Sequence, residues 1–410
     1  MADLFKRIFS EGFRAFFLGA AIWAILSGLT WELWLGAQAL GGTSGLSDLS
    51  MAPHLWHAHE MLFGYAGAAV AGFFLTAVAS GRGMIIGALA GLWLAGRVVL
   101  WHSAALPPAV VAVVDLSFLT SLVLRIANQL RQRRNPQHAI FTVFLATFLI
   151  GNLLVHLEWT DITTDTASAG LRVGLMALCG LIVVLGGRIT PGFIRNAMNR
   201  AGQSPEALPP QTPRLDRLAI LSAIALPWSV LIPMLAPIMA LVLAVIHGAR
   251  ISRWRPQWAL RDPLLWSLFA AQGLMVIGFA LWALAGWGIG DEVGALHVLG
   301  LGGIGGMTLA VMSRATLGHT GRAPIVPRIV AVGYGLMILS ALTRWLAADL
   351  LYRWYDALIL LAGAAWIGAF VLFLVGMVPA LTAPRVARPA PPPPPPHMPS
   401  RPPQRKTSTA

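Results

Sequence analysis

The sequence predicts an all-α integral membrane protein, a bundle of about twelve transmembrane helices with both termini cytoplasmic. Three observations carry that prediction. Only 11% of the 410 residues are charged and 57% are hydrophobic, whereas soluble domains carry about 25% charged residues. Apolar runs of about twenty residues, the length needed to cross a bilayer, recur between short polar loops. Finally, 25 of the 29 Lys and Arg fall in the termini and in alternate loops, on the side that holds the N-terminus, as expected when positive charge stays cytoplasmic.

The expected spans run over 14–38, 56–79, 84–102, 109–127, 138–157, 169–187, 217–233, 236–250, 263–287, 293–312, 327–347 and 355–380. The seventh and eighth are short and divided by a turn carrying Pro233 and Pro237. They read either as two spans or as one re-entrant element. Only Arg97, Arg172, Arg344 and Arg353 remain on the outer side. The membrane domain is expected over 1–383. Residues 384–410 contain a polyproline run, read as an extended, disordered cytoplasmic tail.

The net charge of +13 does not point to nucleic acid, because the Arg residues follow topology and cluster on no single face or domain. One cysteine, Cys179 in an apolar run, excludes a disulfide framework and a thiolate metal site. The first apolar run, from Phe16 to Gly36, is too long for a cleavable signal peptide and has no clear cleavage site.

The candidate site comes from histidines. The stretch PHLWHAHEM holds His54, His57 and His59 at the outer start of the second span. The topology puts His102 at the outer end of the third span, His156 at that of the fifth and His297 at that of the tenth. Imidazole is a ligand for haem iron, copper and zinc, and ionisable groups in a bilayer are functional candidates by default. On a regular helix His57 and His59 point about 200° apart, so they do not readily share one metal. Glu60, beside them, is a candidate proton relay or a partner that orients an imidazole. Arg97, Arg172 and Arg344 share this layer, where haem propionates or simple snorkelling would explain them. Gly and Ala crowd the helices after His59 and His297, which suits close helix packing or a flat macrocycle. On the cytoplasmic side, GGRITPGFIRNAM and SRATLGHTGR read as helix ends followed by loops.

Three stretches, WHAHEMLFGYAGAAVAGFFLTAV, GGRITPGFIRNAM and HVLGLGGIGGMTLAVMSRATLGHTGR, resemble the NnrS family in this order. GFRAFFLGA and NLLVHLEW are further matches. The resemblance implies a twelve-span protein of the bacterial inner membrane that contains haem and copper and belongs to denitrification and the nitric oxide response. It implies haem b, with His59 and His297 as first-choice ligands, and Arg97 and Arg344 beside the cofactor. His57, His156 and His102 are then ligands of copper or a second haem, and Glu60 the catalytic proton carrier. The expected partners are nitric oxide, the lipid bilayer and a membrane or periplasmic electron donor. Turnover of nitric oxide, non-catalytic sensing or scavenging, transport of a metal or small anion, and a purely structural role all stay open at this point.

Overall fold

A computed structural model describes residues 2–42, 49–77, 83–132 and 136–387. The 388–410 part of the proline-rich tail, with His397, lies outside the described residues, as do Arg82, Arg133 and Arg134 and the side chains of Arg131 and His138. Among the described residues there is no strand. The twelve longer helices are α1 (Gly12–Ala39), α2 (Pro53–Ala77), α3 (Gly83–Trp101), α4 (Pro108–Gln132), α5 (Pro136–Trp159), α6 (Ala167–Arg200), α7 (Pro213–Ser229), α8 (Ala236–Ile251), α9 (Pro263–Gly286), α10 (Glu292–His319), α11 (Arg328–Asp349) and α12 (Tyr355–Thr382).

Among the described residues, ten helices are long and apolar enough to cross a membrane. The exceptions are α7 and α8, with 17 and 16 residues. At 1.5 Å per residue they are about 25 Å long, short of a hydrocarbon core of about 30 Å. They are the same pair that the sequence marks as weak.

Helix starts are set by local chemistry. Proline, whose missing N–H costs nothing in a first turn, opens several helices. Asp262 caps α9 through the Leu264 N–H at 2.8 Å, and Asp291 caps α10 through the Gly294 N–H at 2.6 Å.

One correction to the sequence reading concerns the end of α6. GGRITPGFIRNAM is helix, because α6 continues to Arg200 through Pro191. Burial explains it: Ile194 and Met198 pack with Ile251, Trp254, Ala259 and Leu265 in a separate apolar cluster. SRATLGHTGR follows the sequence reading: its helix ends at His319 and a turn at Thr320 and Gly321 follows.

A second departure lies at the imidazole layer. Helix α2 is π-helical over Glu60–Ala66, and α10 over Val298–Gly305. Each wide-turned segment starts immediately after a predicted histidine, His59 or His297. Such segments are rare and concentrate at functional sites.

Candidate metal centre

Four helices build one buried polar cluster. His59 and Glu60 come from α2, Arg97 from α3, Asp115 from α4, and Asn152 and His156 from α5; each is no more than 3% exposed. The His156 ring nitrogen Nε2 lies 2.9 Å from Asp115 Oδ2. His59 Nε2 lies 3.4 Å from the same oxygen and 2.8 Å from Asn152 Oδ1. Asn152 donates its amide to Asp115 Oδ2 at 2.8 Å, which fixes its oxygen toward His59. The other nitrogen of His59, Nδ1, faces Glu60 Oε1 at 3.2 Å.

Arg97 joins the two carboxylates. It donates to both oxygens of Glu60 at 3.0 Å and to Asp115 Oδ1. Trp23 of α1 adds an indole N–H to Glu60 at 2.6 Å. Two glycines make this close approach feasible. A Cβ on Gly64 would fall 2.5 Å from Arg97 and 2.7 Å from Glu60, and one on Gly96 would fall 2.9 Å from Asp115.

The charges account for the contacts. Buried ions need partners, and this network holds two carboxylates against one guanidinium. His59 faces an acceptor at both nitrogens, so as a double donor it supplies the second positive charge. A metal ion would meet the same requirement by replacing its Nε2 proton. Among the described residues, His59, Asp115 and His156 are the group whose ligand atoms all lie within 4.8 Å of one another. Two imidazoles and a carboxylate suit zinc, copper or iron.

A second imidazole pair lies on the other side of α2. The rings of His57 and His297 are parallel within 13°, with centres 6.4 Å apart. Trp31 stacks on His57 at 4.4 Å. His297 Nδ1 donates to the Val293 carbonyl at 2.7 Å, which leaves Nε2 with its lone pair. His57 Nδ1 and Arg344 Nη1 are buried without a hydrogen-bond partner, and the Arg344 charge acts on both imidazoles. Two imidazoles this close, with Arg344 keeping an unpaired donor for a carboxylate such as a haem propionate, are residues that would suit a haem.

Helix α10, which carries His297, is anchored at its start. Arg172 of α6 pairs with both oxygens of Glu292 at 2.7 and 2.8 Å, and Asp349 of α11 accepts the Asp291 N–H at 2.8 Å.

The residues singled out in the sequence therefore divide. The sequence paired His59 with His297; the structure sets His59 against His156 and His297 against His57. The expected divergence of His57 and His59 appears as two clusters. Arg97 is taken up by Glu60 and Asp115 through its terminal nitrogens while its Nε stays unpaired, Arg172 is taken up by Glu292, and Arg344 keeps an unpaired Nη1. His102 is exposed and caps the short turn Ser103–Ala105, apart from both clusters.

Sequence reasoning missed Asp115, Asn152 and Trp23. Asp115 is the only acidic residue in its span, which is a signal in itself. Asn152 precedes His156 by four residues, and that spacing puts both on one helix face.

A family model described as NnrS protein matches residues 7–385. No curated protein matches the chain.

Proposed function

Because the chain belongs to the NnrS family, we propose that it is a haem- and copper-binding protein of the bacterial inner membrane that handles nitric oxide. The observation that carries the metal reading is the buried set His59, Asp115 and His156, whose donors converge in an apolar surround. Copper is assigned to this set and haem b to His57 and His297.

Bound there, haem iron would supply a coordination position for nitric oxide and copper a one-electron centre. The residues around them have separable tasks. The Val293 carbonyl fixes His297 in one tautomer, which would make it the firmer of the two haem-holding imidazoles. His57 has no such tether at Nδ1 and would be the more readily displaced. Glu60 links His59 to Arg97 and suits a proton carrier between the metal layer and the outer surface. Asn152 holds His59 in register with Asp115.

The topology in this reading is twelve spans with both termini cytoplasmic, α7 and α8 each crossing. Whether nitric oxide is turned over with an external electron donor or only bound is decided by steady-state consumption.

Iron, copper and the visible spectrum, measured on one detergent-purified sample, test the reading. The expected result is a haem b spectrum with stoichiometric copper that shifts on adding nitric oxide. Folded protein free of both metals would overturn it and favour transport or a structural role.

A further inference from the structure

Beneath the imidazole layer, α2, α6 and α10, with Phe17 of α1, line a part-open cavity of about 70 Å³. Ala66, Ala69, Leu181, Ile304, Met307 and Val311 form much of its wall, and Thr308 is the single polar side chain on it. That hydroxyl is engaged, donating to the Ile304 carbonyl at 2.8 Å and meeting the Tyr65 hydroxyl. An enclosed water needs two to four polar partners, and apolar cavities without them stay dry. The volume admits a few molecules of water size, since about 10–15 Å³ suffices for one. A cavity of this kind selects a small, uncharged, apolar occupant.

Its position is specific. Ala66 ends the first wide-turned segment, and Ile304 lies next to the end of the second. His59 and His297 immediately precede those segments, so both imidazoles stand above the same roof, roughly 10 Å along the helix axis. Val70, Phe73 and Ile182 on the wall keep partial exposure at mid-span, where the surroundings are hydrocarbon.

We propose that this cavity is a docking chamber for a diatomic gas, which enters from the hydrocarbon layer and reaches the metal layer along the two wide-turned segments. The identity of the gas as nitric oxide rests on the functional reading above; the chamber does not. Xenon stands in for the gas, being apolar, uncharged and dense in X-rays.

Crystals of the full chain pressurised with xenon are expected to show it in the cavity, and to lose it in Ala69→Phe and in Val311→Phe, which fill the space from opposite walls. In haem-loaded protein both variants should slow nitric oxide association about tenfold while leaving the final spectrum unchanged. An empty cavity in wild-type crystals, a chain of ordered water in it, or a lipid tail filling it would overturn the proposal. So would association rates in both filled variants equal to wild type. Xenon bound in a protein that carries no haem would support the chamber while sinking the nitric oxide reading.

Discussion

His57 and His59 stand two residues apart on α2 and serve different clusters: His57 stacks on Trp31 opposite His297, while His59 meets Asn152, Asp115 and His156. The separation follows from the helix period. It makes the two centres independently addressable by single substitutions.

His59→Ala and His156→Ala should each remove copper and leave the haem spectrum largely intact. His57→Ala should leave copper in place and change the haem spectrum, the haem staying on His297. Copper quantification and the pyridine haemochrome spectrum, on the same preparations, check the assignment. Loss of both metals in all three variants would mean a single shared centre.

Asn152 touches the ligands and is not in the donor set. Asn152→Ala should weaken copper binding by about 10–100-fold, the usual cost of losing a residue that orients a metal ligand. Titration against a competing chelator measures it. Unchanged affinity would show that Asn152 orients nothing.

Arg97 holds two buried carboxylates. Arg97→Leu leaves Glu60 and Asp115 facing one another with their guanidinium gone, at a cost of about 3–5 kcal/mol. The thermal midpoint in detergent should fall accordingly. Adding Asp115→Asn should recover part of the loss, because it removes one of the stranded charges.

Copper loading should release protons. As a double donor to Glu60 and Asn152, His59 must lose its Nε2 proton to become a ligand. Calorimetry in buffers of different ionisation enthalpy reads the proton count directly. Zero release would show that His59 is neutral before the metal arrives.

Much of the fold was readable before the structure, because hydrophobic length and loop charge are properties of the chain alone. The ten long helices lie on ten of the expected spans, and the two doubtful spans are the two short helices. The extension of α6 past Gly187 was not readable, since Pro191, with Gly187 and Gly192 close by, looks like a helix end until Ile194 and Met198 are seen buried. At the site, the histidines announced themselves by type and depth. Their pairing did not, because it depends on how four helices turn about their axes. Asp115 was legible as a lone carboxylate in an apolar run, but its partners lie 18 to 56 positions away in sequence.

The π-helical segments give the chain an unusual sensitivity to length. A π-turn is an α-helix carrying one residue too many, so each segment is in effect an insertion held open by its surroundings. Deleting one residue from Glu60–Ala66 would let α2 close into ordinary helix with the turns on either side keeping their faces. What would be lost is the local widening between His59 and the cavity wall at Ala66. Kind matters there as well as count: Glu60 carries the ion pair with Arg97, and Gly64 leaves the room for it.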